Sequence, residues 1–250
     1  MLWQDEGFIL AVRRHGESAA VVSVFTGGHG RHAGLVRGGA SRRASPTHQI
    51  GNRVQATWRA RLADQLGSLT LELARPVAAL LLDRPDRLAG LCAACALLEA
   101  GLPERDPHPN LYRSLGDLID ALVQEEAWWD RYVRFELDLL ADLGFGLDLG
   151  CCAVTGGAED LAFVSPRSGR AVSRAAAEPY ADRLLPLPAF LVGQGPPDAA
   201  QIRAGLQLTG AFLRHLFDVS DTAVPRARQL LLDRLDRLDR LDRLDRAGAL

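Results

Sequence analysis

Apolar and polar positions alternate with a period of two through the first 75 residues. "GFILAVRRHGES" predicts a strand running into a turn, and the β-branched "AAVVSVFT" a second strand closed by the turn "GGHGR". "HAGLVRGG" predicts a third. In "NRVQATWRAR", Val54, Ala56 and Trp58 alternate with Arg53, Gln55, Thr57 and Arg59, and "GSLTLELA" completes the set. Five short strands with a long loop between the third and fourth predict a small closed barrel of the OB type. An SH3-like barrel is the alternative. Either closes the sheet on itself and leaves no open strand edge.

From Pro76 the period becomes helical. "RPDRLAGLCAACALLEAGL" places Pro85 at a helix start and Gly101 at its stop. "NLYRSLGDLIDALVQ" puts Leu111, Leu115, Leu118, Ile119 and Leu122 on one face, with Asn110 as N-cap. "AWWDRYVRFELDLLADLGFG" predicts a third helix ending at a glycine, and "DAAQIRAGLQLTGAFLRHLF" a fourth. Between them a hairpin runs from Leu149 to Ser173, turning at "SPRSG". The expected class is α+β: an OB-type barrel over residues 1–77, then a helical domain over 78–250 that carries the hairpin at 148–175. The only internal repeat is "LDRLDRLDRLDRLDR", residues 232–246. A period of three drifts by about 60° per repeat around a helix, so its leucines spiral instead of forming one stripe. The repeat therefore reads as an exposed, fraying and dispensable extension.

Composition narrows the function. All 29 basic residues are arginine. Without lysine there is no P-loop phosphate grip and no Schiff-base chemistry, so an ATP-driven motor of the usual kind is excluded. The net charge of −2 hides an asymmetry: residues 1–75 carry a net +5, the remainder a net −7, and four of the six histidines lie in the basic part. A basic module on an acidic body points to a polyanion partner. The apolar runs are too short for a membrane span, no signal peptide is apparent, and four cysteines suggest no disulfide framework. A cytoplasmic, nucleoid-associated protein is expected.

Candidate chemistry is sparse. Cys92 and Cys95 form a C-x-x-C amid leucines and read as core. "GGHGRHAG" resembles a phosphate-cradling loop, but a strand follows it, so a hairpin turn is the better reading, with Arg31 and His32 near phosphate. Trp128 and Tyr132 share a helix face and read as core anchors. Glu125 and Glu126 have no histidine or basic companion, and no hydrolase or nuclease pattern appears, so the chain does not read as an enzyme. The basic set is stronger. Arg13 and Arg14 end a strand, Arg37, Arg42 and Arg43 flank the loop "RGGASRRASPTH", and Arg53 and Arg59 share a strand face. With Arg31 they form the candidate DNA-binding set. Phe8, Phe25 and Trp58 are the barrel's rings, open to stacking or to core packing, so phosphate contact should dominate over base readout.

Residues 151–176 read like a metal-binding hairpin short of ligands. Cys152 opens it, and Thr155, Ser173 and Ala176 stand where a zinc ribbon carries its other thiolates. One thiolate cannot make a tetrahedral site, so no metal and no cofactor is expected, with Val154, Leu161, Phe163, Val164 and Val172 holding the hairpin by packing. "GFILAVRRHGESAAVVSVFTGGHGR" with "GLVRGGASRR" resembles the opening of the bacterial RecO family of recombination mediators, and "CAVTGGAEDLAFVSPRSGRAVS" is similar to that family's zinc-knuckle segment. The two matches bracket the helical region. The resemblance implies an OB domain, a helical domain and the embedded hairpin, in a branch that has lost zinc. It implies binding to single- and double-stranded DNA, annealing of complementary strands, and work with RecR to load RecA onto DNA coated by single-strand-binding protein, whose C-terminal tail it contacts. Arg131, Arg134, Arg203 and Arg214 are charges available to that tail, without a motif to single one out. A nuclease and a pure protein scaffold are the other classes, separated from a DNA binder by oligonucleotide titration with and without magnesium.

Overall fold

The computed structural model describes residues 1–41, 45–62, 64–124 and 128–248, with side chains of the last helix described through Leu238. In chain order the elements are β1 (Leu2–His15), β2 (Ala19–Thr26), β3 (Gly30–Val36), β4 (Arg53–Arg59), β5 (Ser68–Arg75), α1 (Val77–Leu80), α2 (Pro85–Gly101), α3 (Pro109–Gln124), α4 (Trp129–Asp142), β6 (Leu161–Val164), β7 (Ala171–Ser173), α5 (Arg174–Ala177), β8 (Leu185–Pro186), α6 (Ala199–Val219) and α7 (Arg226–Gly248). They form two compact units, Met1–Glu126 with Pro225–Leu250, and Ala127–Val224.

The first unit is built on a closed barrel in the order β1-β2-β3-β5-β4, an OB-like ring of strands in an α+β chain. Strand β1 starts at Leu2, earlier than the alternation at Gly7 indicates, because it serves two neighbours. Its Leu2–Phe8 half pairs with β4 and its Gly7–His15 half with β2. The register slips between Ile9 and Ala11. This bulge bends the strand and lets Ile9 and Val12, three apart, both face the interior. The core there is Ile9, Ala20, Val22, Val24, Val36, Val54, Ala56, Trp58 and Leu69. The Trp58 indole N–H donates to the Leu66 carbonyl at 2.9 Å, which satisfies its one polar atom.

A buried amide ties the barrel to α1. Asn52 is 0% exposed. Its Nδ2 donates to the Pro46 and Thr47 carbonyls at 2.9 and 3.2 Å, its Oδ1 accepts from the Ala78 N–H at 3.1 Å, and its own carbonyl accepts from the Ile9 N–H at 3.0 Å. Gly51 beside it has φ +83°, and a Cβ there would lie 2.4 Å from a Leu91 methyl on α2. That backbone state and that contact both require glycine. Helix α3 covers the outer side of β1 and β2: Tyr112 packs on Phe8 and Phe25 at 5.3 and 5.7 Å, and its hydroxyl donates to the Glu6 carbonyl. Cys95 of α2 is fully buried, and burial pushes the thiols of Cys92 and Cys95 up, so both are core-like and unreactive.

Helix α7 returns to pack against α2. Leu231 is 0% exposed and Leu235 6%, while Leu230 and Leu238 are 48% and 41% exposed. The start of the repeat is thus docked, and the reading of it as wholly dispensable is corrected. Leu231 and Leu235, four apart, share a face; the three-residue period then carries Leu238 off it. In the second unit α4 packs on α6, with Trp128 and Tyr132 buried as expected, and the buried Glu136 carboxylate accepts from Thr209 Oγ1 at 2.5 Å. The hairpin β6–β7 gains a third strand, β8, in the order β7-β6-β8. Two residues inside "LLPLPAFL" carry no alternation from which to read it.

Leu231→Ala should lower stability by about 2–5 kcal/mol, as for other fully buried leucines, whereas truncation after Leu238 should cost less than about 1 kcal/mol. Denaturant melts of the two variants check this, and equal losses would contradict it.

Candidate nucleic-acid interface

With α3 on the outer side of β1 and β2, the basic candidates fall into groups. Arg31 is 16% exposed; its Nε donates to the Leu102 carbonyl at 2.9 Å, and its guanidinium lies 3.7 and 3.5 Å from Glu99 and Glu104. It joins β3 to the end of α2. His32 is 6% exposed and wedged edge-on against Trp58 at 4.7 Å and Trp3 at 5.1 Å; burial, and next the Arg105 charge, push its pKa down. It is a neutral interior ring rather than a phosphate contact. Arg53 is ion-paired with Glu6 and lies over the Phe8 ring. Arg13 reaches Glu99 at 3.3 Å but keeps 74% of its side chain exposed. Arg14, Arg37 and Arg59 are exposed, with no ion pair among the described residues. Arg42 and Arg43 lie outside the described residues.

Arg37 and Arg59 line one cleft. Its volume is about 590 Å³, and Leu35, Val36, Thr47, His48, Ser68, Leu69, Thr70 and Leu71 complete it. The cleft opens where β3 stops: β3 and β5 pair at a single register position, Leu35 with Ser68, and β3 ends one residue later at Val36 while β5 runs on. Gly34 lets them meet that closely: a Cβ on it would sit 2.7 Å from that of Leu69. Arg59 and Ser68 are partners across β4 and β5, so strand alternation sends Arg59, Ser68 and Thr70 outward together while Trp58 and Leu69 point in. The His48 ring is held by Nδ1 at 3.1 Å from the Gly39 carbonyl. Among the described residues no carboxylate lines the cleft. The rings weighed as stacking surfaces, Phe8, Phe25 and Trp58, are all at most 2% exposed and belong to the core.

In the second unit the knuckle is real but differently held. The Cys152 N–H donates to the Gly157 carbonyl at 2.7 Å and the Gly156 N–H to the Cys152 carbonyl at 2.9 Å, closing the turn. Ser173 Oγ lies 3.4 Å from Cys152 Sγ, and the Ser173 N–H donates to that sulfur at 3.3 Å. One sulfur with serine and threonine neighbours is not a zinc donor set, and among the described residues no three His, Cys, Asp or Glu side chains gather to hold a metal. Leu161, Val164 and Val172 are buried in the hairpin as expected, but Val154 is 70% exposed and plays no part in its packing.

Family models decide the relationship. Residues 1–77 match the model described as Recombination protein O N terminal, and residues 82–221 the one described as Recombination protein O C terminal. The chain belongs to the RecO family. It is similar to the DNA repair protein RecO of Rhodospirillum centenum, 55% identical over 237 residues covering 94% of each chain. That of Cereibacter sphaeroides is 53% identical over 233 residues, covering 93% of this chain and 98% of the relative, and that of Rhodospirillum rubrum 50% over 241 residues, covering 93% and 96%. Among the described residues no helix is long and apolar enough to cross a membrane.

Two features of this RecO-family chain escaped the sequence reading. Asn52, which anchors the loop leading to β4, looked like any polar loop residue. Thr47, His48, Ser68 and Thr70 gained significance only through the pairing of β3 and β5, which involves strands distant in sequence. The knuckle yields a pH test. Hydrogen bonds from the Ser173 hydroxyl, the Ser173 N–H and Thr155 favour the thiolate and bring Cys152 down to about 6, against the opposing effect of burial. A pKa lowered on folding adds stability that is present above the ordinary thiol value of about 9 and lost as the pH falls through about 6. Melting temperature should therefore carry a pH-dependent component in that window, which Cys152→Ser removes, and the thiolate absorbance should titrate near the lower bound. Chelation with EDTA should leave the melt unchanged; one tightly bound zinc per chain would contradict the ligand reading.

Proposed function

We propose that this RecO-family chain is a DNA-binding recombination mediator that acts in DNA repair by binding, not by catalysis. The observation that carries the reading is the pairing of Arg37 and Arg59 on one acid-free cleft, both exposed and without an ion pair among the described residues. Arg14 and Arg13 end β1 opposite the start of β2, whose Ala20 pairs with Val36, so they belong to the same end of the barrel as Arg37. Guanidinium groups in such a row neutralise phosphates and release counterions, a sequence-independent attraction that suits both single strands and duplexes. Arg42 and Arg43, which lie outside the described residues, complete the proposed set. Arg31 and Arg53 are left out of it because their charges are spent on internal carboxylates.

Annealing follows from the same charge. Two complementary strands repel until their phosphates are screened, and a protein holding both lowers that barrier. The work with RecR, the loading of RecA onto strands coated by single-strand-binding protein, and residence at the nucleoid rest on the family relationship. Contact with the tail of single-strand-binding protein falls to the Ala127–Val224 unit, where Arg131 and Arg214 are exposed. Arg134 is engaged otherwise, donating to the Phe190 carbonyl at 2.7 Å.

Arg37→Ala/Arg59→Ala should weaken binding of single strands and duplexes nearly uniformly across sequences. The log–log salt slope for single strands should flatten by about 1.4, or about 0.7 for each phosphate that is no longer neutralised. Annealing should fall with affinity. Fluorescence anisotropy over a salt series measures it; an unchanged slope would move the DNA face elsewhere, and turnover of the oligonucleotide with magnesium would favour a nuclease.

A further inference from the structure

We propose that the cleft between β3 and β5 is a single-nucleotide subsite that takes an unpaired base and so distinguishes single-stranded from duplex DNA. This rests on the reading of the barrel as a DNA-binding face and adds what that reading lacks, since phosphate contact alone does not discriminate strandedness. The cleft is a recess and not merely a charged patch. One residue beyond the single Leu35–Ser68 pairing β3 ends at Val36, and β5 runs on to Arg75 without it. Its volume is about 590 Å³, room for a base in a groove that stays half open to solvent.

The chemistry of the walls matches one nucleotide. Leu35 and Leu71, each partly exposed, give apolar surface for the face of a base, with the buried Val36 and Leu69 behind them. Thr47 and Thr70 supply hydroxyls that donate or accept at base edges, Ser68 Oγ, which donates to the Arg59 carbonyl at 3.3 Å, is left to accept, and Arg37, just past the end of β3, and Arg59, the last residue of β4, are available to the flanking phosphates. His48 adds a ring nitrogen: the Gly39 carbonyl can only accept, so the neighbouring Nδ1 carries the proton and Nε2 is left as an acceptor. These groups discriminate little among the four bases. A base within a duplex keeps its faces stacked and its edges paired, and must be extruded before it can enter. A single strand meets no such cost.

An extended peptide added to the free side of β5 is the other occupant this geometry admits. Strand addition works through backbone groups and makes no use of two unpaired guanidinium groups over an acid-free wall, so the nucleotide is favoured. Ser68 and Thr70 are exposed, and substituting them removes no charge. In Ser68→Leu/Thr70→Leu the recess is filled with non-aromatic bulk. Anisotropy titrations compare oligothymidylate, a blunt duplex, and the same duplex bearing one extrahelical thymidine.

The variant should bind oligothymidylate about tenfold more weakly, as expected for the loss of one seated base, and hold the blunt duplex within about twofold, with an unchanged salt slope. The wild-type chain should prefer the bulged duplex to the blunt one, and the variant should lose that preference. Equal loss on all three DNAs, or no loss on any, overturns the subsite. So does a labelled acidic peptide that binds the wild-type chain, fails to bind the variant and leaves oligothymidylate binding intact. If the leucine variant is silent while Arg37→Ala/Arg59→Ala still weakens both DNAs, the subsite fails and the DNA face stands. If the arginine variant is silent as well, both fail. Thr47→Leu, on the loop side of the recess, repeats the test should the double variant melt early.

Discussion

The bend in β1 is the constraint on which the first unit depends. A strand that must pair with β4 along one half and β2 along the other has to turn, and the bulge at Ile9 and Ala11 is where it does so. Past Phe8, where the pairing with Arg53 ends, Gly51 and Asn52 continue the contact on the β4 side of the bent strand: the Gly51 N–H donates to the Ile9 carbonyl at 2.7 Å and the Asn52 carbonyl accepts from the Ile9 N–H. The Asn52 side chain then reaches both ways, to the loop at Pro46 and Thr47 and to the start of α1 at Ala78. Barrel closure, the seating of α2 against Gly51 and the placement of the loop carrying Thr47 and His48 are therefore one linked problem. Loss of the amide would strand several buried polar groups at once, each costing about 1–3 kcal/mol.

Arginine does all the cationic work in this chain, and the structure separates two uses of it. Where a guanidinium lies between a carbonyl and carboxylates, as Arg31 does with Leu102, Glu99 and Glu104, its planar set of donors acts as a clamp between strand and helix. Where strand alternation pushes it outward with no acid beside it, as at Arg37 and Arg59, the charge remains available to a polyanion. The net +5 of residues 1–75 thus overstates the free charge and misplaces it. The acids that consume it come partly from the acidic remainder of the chain, Glu99 and Glu104 among them.

Much of the fold was legible because its signals are local. Alternation marked all five barrel strands and the Pro85 and Gly101 punctuation matched the bounds of α2, whereas Asn110, expected as the N-cap of α3, lies inside that helix, which begins at Pro109. What failed to show was what depends on partners distant in sequence. The early start of β1 follows from its pairing with β4, and β8 exists only because β6 presents an edge to Leu185 and Pro186. The docked start of α7 needs α2. The candidate site followed the same rule. Residue type and charge pointed to Arg37 and Arg59 but equally to Arg31, Arg53 and His32, and only the fold reveals which side chains are already occupied.

The knuckle of the second unit is held by hydrogen bonds, packing and strand pairing. Structural zinc in small peptides contributes about 10–16 kcal/mol, whereas a hydrogen bond to a charged group is worth about 1.5–3 kcal/mol. The contacts of Cys152 with Ser173 and Thr155 therefore preserve the shape of the turn without replacing the energy of a metal. The balance has to come from burial and from added strand pairing. Val164 and Ala171 are 0% exposed, Val172 5%, and β8 pairs Phe163 with Pro186 and Val164 with Leu185 on the far side of the hairpin. A two-stranded hairpin alone is marginal in water, and a third strand with an apolar face is what lets such a sheet persist. The short β8, invisible to any periodicity, is on this argument the element that lets the hairpin persist.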